Sequence, residues 1–354
     1  MNFSKHWAAT LDDYVIDLAW SPDGSLLAAA SAAGGITLFD AATGAVCHTL
    51  AGHTDGVNCL AWGQGSDQRS AVSGQLLASG GQDGFVRFWD LATGLQTAEA
   101  KIGSAWVEHL AWRSSAQPSA LSAQLLFAAA GRKLVALNPD GTVAHAWPDA
   151  PKTITALAVS QLSTLNSQLL LASAYFGGVA VWDATTFAVH KEFPYGNTIH
   201  ALTWSPDGRW LVAGCQDNAV HLWVPAEDLE LHMSGYETKL KELSFSRDSK
   251  WLATGGGKDA CVWDCAGAGP EGREPLLLPH GARVIAVAFQ HQHGLLATGG
   301  ADGEFCLWAP ARKNPLVAEV RLPATATKFA WRPDDSLLAV GTGKGSVFVF
   351  KTGE

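Results

Sequence analysis

His291 and His293 flank Gln292 and are the pair of side chains in this sequence most suggestive of metal chemistry. Two histidines on one loop can supply two ligands, but a zinc site needs a third and usually a fourth. Those ligands would have to come from distant parts of the chain. A solvated polar turn is the commoner explanation of such a pair. We therefore expect no metal ion and no other cofactor.

Motifs of enzyme active sites are absent from the sequence. It contains no nucleophile elbow, no P-loop, no HExxH and no GxGxxG that opens a helix. The Gly-rich steps Gly255–Gly257 and Gly299–Gly300 fall between strand-like segments and predict hairpin turns. Charged residues of both signs on predicted strands indicate local pairing rather than a paired-carboxylate site: Asp17, Glu108, Lys241, Glu242 and Lys328. We expect a protein without enzymatic activity.

An internal repeat identifies the elements that carry these residues. One six-residue pattern occurs eight times. The copies are VIDLAW (15–20), VNCLAW (57–62), VEHLAW (107–112), ITALAV (154–159), IHALTW (199–204), LKELSF (240–245), VIAVAF (284–289) and ATKFAW (326–331). Regular repetition predicts one small unit stacked many times.

The second unit shows the pattern most fully. Residues 57–62, 75–80, 85–89 and 95–100 alternate or are rich in strand formers, and Gln82–Gly84 is a tight turn between the middle two. Four short antiparallel strands cannot bury both faces alone. Stacking such sheets around an axis buries them, so the sequence predicts an all-β propeller.

These residues resemble a known family. Gly52-His53, Val57, Leu77–Gly80, Asp83-Gly84 and Trp89-Asp90 are similar to the signature of the WD-repeat β-propellers, whose blades run about 40–45 residues. The resemblance covers essentially the whole chain. It implies a fold more firmly than a function, because members share a shape more than a task.

The resemblance also implies stabilising tetrads of hydrogen-bonded side chains. Carried over by position, they fall on His53, Ser79, Asp83 and Trp89, and again on His280, Thr298, Asp302 and Trp308. Unit five keeps Asp217 and Trp223 but has Ala213 and Tyr195 in the other two places. The remaining units lack most of the tetrad, and we expect them to depend on apolar packing.

The count of strands favours eight blades in a single domain, residues 1–354, with seven blades plus an appendage as the alternative. The last unit lacks a fourth strand, and residues 3–9 are the available donor, so we expect the N-terminal strand to close the ring. The blade cores are predicted at about 15–50, 57–100, 107–147, 154–193, 199–233, 240–278, 284–322 and 326–350 plus 3–9.

Aromatic and cationic residues just before first strands, in the turns between second and third strands and in nearby loops are candidates for partner binding, since such residues form hot spots. They are Tyr14, Trp106, Tyr175, Phe176, Tyr195, Tyr236, Lys239 and Arg283. The alternative is that some of them pack between blades in place of missing tetrads. Long inserts at 63–74, 113–123 and 160–167 are either tolerated loop growth or an extra docking surface.

Two functions follow from this reading. The first is a non-catalytic scaffold that binds a protein or peptide on the loops or at the channel mouth. The second is an accessory protein that handles a metal or small molecule with channel or loop histidines. A net charge of −9 argues against nucleic-acid and anionic-membrane partners. We see no secretory signal or apolar span and expect a cytoplasmic protein.

Overall fold

The computed structural model describes residues 3–64, 75–113, 124–161 and 168–353, and the regular elements within these ranges are β-strands. The predicted inserts fall largely outside the described residues. The first strand is β1 (Phe3–Thr10). Blades one to four contain β2 Val15–Trp20, β3 Leu26–Ser31, β4 Ile36–Asp40, β5 Val46–Leu50, β6 Val57–Gln64, β7 Gln75–Gly81, β8 Phe85–Trp89, β9 Gln96–Lys101, β10 Val107–Trp112, β11 Leu126–Ala130, β12 Lys133–Leu137, β13 Val143–Ala146, β14 Ile154–Val159, β15 Leu170–Tyr175, β16 Gly177–Asp183 and β17 Val189–Tyr195.

Blades five to eight continue in the same order. Their strands are β18 Ile199–Trp204, β19 Leu211–Cys215, β20 Val220–Val224, β21 Leu229–Met233, β22 Leu243–Phe245, β23 Trp251–Thr254, β24 Asp259–Asp264, β25 Leu276–Pro279, β26 Val284–Phe289, β27 Leu296–Gly300, β28 Glu304–Trp308, β29 Leu316–Arg321, β30 Ala326–Trp331, β31 Leu337–Thr342 and β32 Ser346–Thr352. They form eight four-stranded antiparallel sheets, which confirms the eight-bladed propeller.

The second strand is the most buried element of its blade, except in blade five, where β20 is buried as fully as β19. β11, with the sequence LFAAA, is buried at every position, and β19 is as well. Small side chains suit this strand because neighbouring blades press on both of its faces. The fourth strands, such as β5, alternate between exposed and covered residues because they form the outer rim.

Tryptophan indoles join the first strands of neighbouring blades. The Trp62 Nε1–H donates to the carbonyl of Ala19 in the preceding blade over 2.9 Å, and Trp20 donates to Ala330 over 2.8 Å. The same bond recurs from Trp112 to Ala61 (3.0 Å), Trp204 to Ala158 (3.3 Å) and Trp331 to Ala288 (3.0 Å). Each bond satisfies a largely buried donor and fixes one blade against the next.

The N-terminal strand closes the ring, as expected from the sequence. β1 pairs antiparallel with β32, from Phe3 opposite Thr352 to Thr10 opposite Ser346. The Trp7 side chain is buried, and its indole N–H donates to the carbonyl of Ala41 in blade one over 3.0 Å. Blade eight is thus built from both ends of the described chain and is held to blade one.

Asp17 adds a second tie at the same place. Its carboxylate lies 2.9 Å from Lys328 Nζ of blade eight and accepts the backbone N–H of Leu60 in blade two over 2.9 Å. This agrees with the local pairing expected for charged residues on first strands. Three blades meet on this one side chain.

One predicted strand is shorter than expected. The segment LKELSF was assigned to 240–245, but β22 begins only at Leu243. The backbone N–H of Leu240 donates instead to the carbonyl of Cys215 in blade five, so the start of the segment leaves its own ladder.

No helix long and apolar enough to cross a membrane occurs in the described part of the chain.

Trp7→Ala should lower the free energy of unfolding by about 3–5 kcal/mol, because it empties a buried site where blade eight meets blade one. Chemical denaturation monitored by circular dichroism measures this change. Lys5→Ala on the same strand is the matched control, since Lys5 is exposed. Equal stability of the Trp7 variant and the wild type would show that β1 does not hold the ring closed.

Candidate functional site

Blade two contains a continuous chain of buried hydrogen bonds. His53 Nδ1 lies 2.8 Å from Asp83 Oδ1, and His53 Nε2 lies 2.9 Å from Ser79 Oγ. The Trp89 indole N–H also donates to Ser79 Oγ over 2.9 Å. The neutral tautomer with the proton on Nδ1 satisfies the contacts with Asp83 and Ser79, because Nδ1 then donates to the carboxylate and Nε2 accepts the serine hydroxyl proton. The side chains implied by the family resemblance therefore contact one another in this blade.

Arg87 completes this cluster from the third strand. Its guanidinium lies 2.7 Å from Asp83 Oδ2 and also contacts His53. Burial alone would raise the pKa of Asp83, but the hydrogen bonds from Arg87 and His53 outweigh it and lower the pKa. Burial lowers the pKa of His53, although Asp83 opposes that shift. At neutral pH the cluster holds a neutral imidazole beside a carboxylate–guanidinium pair.

Gly81, at the end of β7, leaves the space that the imidazole fills. A Cβ on Gly81 would lie 2.1 Å from His53 Nδ1, so a larger residue would displace the ring. Gly81 pairs with Val57 on the first strand, and in blade five Cys215 pairs with Ile199 in the same way. Blade five has Tyr195 instead of the histidine. Cys215 has a Cβ where blade two has Gly81, so an imidazole in the position of His53 would have no room in blade five.

Blade seven differs from the expected tetrad at its acid. His280 Nε2 lies 2.7 Å from Thr298 Oγ1, and the Trp308 indole N–H donates to the same oxygen over 2.6 Å. Asp302, however, pairs with Arg321 on the fourth strand at 2.9 Å. No residue like Arg87 holds it near the imidazole, because Cys306 stands opposite Thr298, where blade two has Arg87 opposite Ser79. The acid nearest to His280 Nδ1 is Glu304, at 3.2 Å.

Two half-buried tyrosines make hydrogen bonds near the places of tetrad residues. In blade six the Trp263 indole N–H donates to the hydroxyl of Tyr236 over 2.7 Å, and that hydroxyl lies 3.0 Å from Thr254 Oγ1. In blade five the hydroxyl of Tyr195 donates to Asp217 over 2.5 Å. Both tyrosines pack between blades, which was the alternative considered for Tyr195 but not for Tyr236. Sequence comparison with the tetrad missed Tyr236 because a tyrosine reaches the same place from a different loop position.

Blade five also leaves one buried donor without an acceptor. The Trp223 indole N–H has no hydrogen-bond partner among the described residues. Ala213 occupies the place of Ser79, so the hydroxyl that accepts the indole in blade two is missing here.

The loop face is defined here by the loops that lead into first strands and the turns between second and third strands. Tyr14, Trp106 and Phe176 project from it, with 44%, 52% and 50% of their surface exposed. Lys239 and Arg283 are also exposed, whereas Tyr175 is partly covered. The structure places these candidate residues around the ring rather than in one cluster.

Three cations that were not singled out in the sequence lie next to two of these aromatics. Arg132, Lys133 and Lys152 are exposed on the turn and loop between Trp106 and Phe176. The alkyl chain of Lys133 runs beside Gly103, in the loop that carries Trp106. The guanidinium of Arg132 donates to the carbonyl of Ala150 over 2.6 Å. This hydrogen bond holds the loop that contains Lys152 against the turn. We call Trp106, Arg132, Lys133, Lys152 and Phe176 the blade 3–4 patch.

His291 and His293 do not form part of a group of three potential metal ligands within the described residues. Their turn is pinned instead by Asp335 of blade eight, which accepts the backbone N–H groups of residues 291, 292 and 293 over 2.8, 2.7 and 3.0 Å. Burial would raise the pKa of Asp335, but its hydrogen bonds, first that from His291, outweigh burial and lower the pKa. This turn braces blade seven against blade eight.

The fold and its buried His–hydroxyl–Trp networks define a class of protein, the β-propellers made of WD-type blades. Two models of that class match the sequence. The WD40 domain of anaphase-promoting complex subunit 4 matches residues 1–65, and the WD domain, G-beta repeat, matches residues 44–90, 185–224, 229–264 and 274–309. The chain belongs to the WD-repeat β-propeller family.

Several characterised relatives are similar to this chain. WD repeat-containing protein 70 of Xenopus laevis is 24% identical over 313 residues, which cover 78% of this chain and 49% of that protein. The anaphase-promoting complex subunit cdc20 of Dictyostelium discoideum is 27% identical over 203 residues, or 55% and 40% of the two chains. The chain spans about half the length of the first of these relatives.

Solved structures agree on the shape. The crystal structure of the computationally designed Ika8 protein superposes with a TM-score of 0.78 and covers 99% of this chain and 100% of its own. The sequences are 20% identical, so this likeness concerns the fold alone.

Removing a hydroxyl from blade two and adding one to blade five should change the free energy of unfolding in opposite directions. Ser79→Ala strands the Trp89 donor and should cost about 1–3 kcal/mol of unfolding free energy. Ala213→Ser offers the Trp223 indole an acceptor and should add about 1 kcal/mol. Urea denaturation of both variants measures the pair. A loss of stability in Ala213→Ser would contradict the assignment of an unmet donor in blade five.

Stability should also fall in mild acid because of His53. Its pKa is below the ordinary value of 6.5 in the folded chain, so the unfolded chain binds the proton first as pH drops. The stabilisation is complete above pH about 6.5 and is lost as pH falls toward the lower folded pKa, by at most about 1.4 kcal/mol per pH unit. Unfolding free energies measured between pH 7.5 and 5 should show a shallower slope for His53→Gln. Identical slopes would contradict the buried neutral imidazole.

Proposed function

We propose that this chain is a non-catalytic scaffold that binds an acidic segment of a partner protein on the blade 3–4 patch. Proteins of this family generally act as protein-interaction scaffolds, and the fold is typically non-enzymatic. The finer assignment, to this face and this kind of segment, rests on the patch. Its carrying observation is the pairing of two exposed aromatics with three exposed cations in a chain whose net charge is −9.

The patch has the composition of an interaction hot spot. Large aromatic side chains supply contact area at low entropic cost, and arginine and lysine pair with carboxylates. Trp106 has 52% of its surface exposed and Phe176 has 50%, and neither ring makes a ring-stacking contact in the described structure. Other exposed apolar residues, such as Val46 and Leu95, stand singly at the starts of fourth strands on the outer rim and lack this setting.

Charge favours an acidic partner segment at this place. The loops and turns that build the patch, residues 102–106, 131–133, 148–153 and 175–177, carry three cations and one acid, Asp149. These loops and turns therefore carry an excess of positive charge although the chain as a whole is acidic. An acidic segment would be drawn to the patch and kept off the rest of the surface.

The loop anchors keep the patch ordered before a partner arrives. Backbone N–H groups of Ala150 and Ile154 donate to the carbonyls of Arg132 and Gly131 over 2.8 and 2.7 Å. The loop of Lys152 and the turn of Arg132 and Lys133 are thus fixed in one arrangement. A pre-formed surface loses less conformational entropy on binding than a mobile one does.

Substitution of the patch should remove partner binding without unfolding the ring. Proteins captured from extracts of the native cells should be lost with the double variant Trp106→Ala/Phe176→Ala and weakened by Lys133→Glu/Lys152→Glu. Binding should also weaken as salt increases, because the cations are exposed. Quantitative mass spectrometry of the captured proteins provides the measurement.

The matched control is Val46→Ala/Leu95→Ala, which trims two equally exposed apolar side chains on the rim. Thermal melts should show that all these variants remain folded, since exposed substitutions change stability by less than about 0.5 kcal/mol. If the partner proteins are still captured by Trp106→Ala/Phe176→Ala but are lost with Val46→Ala/Leu95→Ala, the binding site lies on the outer rim. That result would refute this proposal.

A further inference from the structure

Blade seven carries a set of metal-ligating atoms that partner binding does not use. One ligand atom from each of His280, Glu304 and Cys306 lies within 4.8 Å of the other two. Glu304 and Cys306 are two residues apart on β28, so their side chains share one face of the strand. His280 reaches that face from the loop before β26.

The imidazole of His280 has an unused nitrogen that is aimed into this cluster. Its side chain is 0% exposed, and Nε2 is engaged by Thr298. Nδ1 makes no well-aligned hydrogen bond among the described residues; Glu304 Oε2 lies 3.2 Å away as an ion-pair neighbour. Buried ring nitrogens are rarely left without a partner, so this one indicates a missing ligand.

We propose that His280 Nδ1, the Glu304 carboxylate and the Cys306 thiolate bind a divalent transition-metal ion, Zn²⁺ by its chemistry. A nitrogen, an oxygen and a sulfur donor form the mixed set that borderline-soft Zn²⁺ accepts. At Zn–N and Zn–O distances of about 2.0–2.1 Å, two ligand atoms of a tetrahedron lie about 3.3 Å apart. The 3.2 Å between His280 Nδ1 and Glu304 Oε2 matches that spacing.

Outer contacts already hold two of the ligands in place. Thr298 fixes the ring of His280 through Nε2, and the backbone N–H of Gly281 donates to Glu304 Oε2 over 2.7 Å. Ligating histidines in metal sites are oriented in the same way, by a bond to the second ring nitrogen.

A groove gives an ion access to the cluster. Its volume is about 440 Å³, and Glu304, Cys306, Glu319 and Pro279 are among the residues that line it. Glu319 is exposed and pairs with Cys306 across β28 and β29. The fourth coordination position therefore faces solvent and a further carboxylate.

Comparison with blade two explains why the cluster arises in blade seven. In blade two Arg87 occupies the strand position of Cys306 and holds Asp83 against the histidine. A cation there excludes a metal ion. In blade seven a thiol replaces the guanidinium, and Asp302 turns away to Arg321.

Blade five provides an internal comparison. Cys215, Asp217 and His221 form a similar group, but Asp217 already accepts the Tyr195 hydroxyl and His221 Nδ1 lies 3.1 Å from Glu230. Its carboxylate and Nδ1 of His221 are committed to protein partners, so only Nε2 of His221 and the thiol of Cys215 remain as ligands there. We therefore assign the metal to blade seven.

The test is a titration of the full chain, stripped with a chelator, with CoCl₂ and then ZnCl₂. We expect one metal ion per chain and a near-ultraviolet thiolate-to-cobalt absorption band that Zn²⁺ abolishes by displacement. Binding replaces the thiol proton of Cys306, so one proton passes to the buffer. Cys306→Ser should remove the band and weaken Zn²⁺ binding at least about tenfold.

Glu304→Gln is the second variant and should also weaken binding about tenfold, with the band retained. Cys215→Ser is the matched control and should bind as the wild type does. Circular dichroism must show that each variant is folded at the temperature of the titration. Absence of binding by the wild type at micromolar metal, unchanged affinity in folded Cys306→Ser and Glu304→Gln, or loss of the band in Cys215→Ser would each overturn the proposal.

Discussion

The ring depends on a tryptophan indole that donates its N–H to an alanine carbonyl of the preceding blade. Five of the eight first strands carry such a tryptophan at the sixth position of the repeat, and each makes this bond, from Trp20 to Trp331. The acceptor is the residue at the fifth position of the repeat in the neighbouring blade and is always alanine. A small side chain lets the broad ring lie against the adjacent strand, so the bond and the packing reinforce each other. The loop face and both groups of potential ligands are carried on blades positioned in this way.

Polar networks inside the blades are unequal, and small steric differences set their form. Gly81 admits an imidazole in blade two, and Cys215 at the same position in blade five does not. Tyrosine hydroxyls then replace the missing groups. The hydroxyl of Tyr236 accepts a tryptophan N–H in the way that a serine hydroxyl does in blade two. A propeller can tolerate this variety because each blade contacts only its neighbours, and the cost of a weak blade stays local. The variety also leaves unusual side chains together, as in blade seven.

Much of the fold could be predicted from the sequence, because the repeat of a six-residue strand is regular and each copy lies between clear turns. The eight blades and the closing strand were predicted correctly on that basis. The shorter β22 was not, because the cross-blade bond of Leu240 has no local signature. In the same way, Asp302 has the sequence spacing of a tetrad residue, but in the folded protein it pairs with Arg321. Only the folded fourth strand brings Arg321 within reach of Asp302. Within the blade 3–4 patch, Arg132 and Lys133 are consecutive in sequence, but Lys152 lies in a later loop that the folded turn holds beside them.

The pairing of β1 with β32 has a consequence for how the protein is made. The last blade cannot be completed until residue 352 has left the ribosome, so the first strand has no partner while about 340 residues are synthesised. During that interval the ring is not closed, and the strands at its two ends have unpaired backbone groups. Such strand edges pair readily with other chains, and the pairing of β32 with β1 removes them.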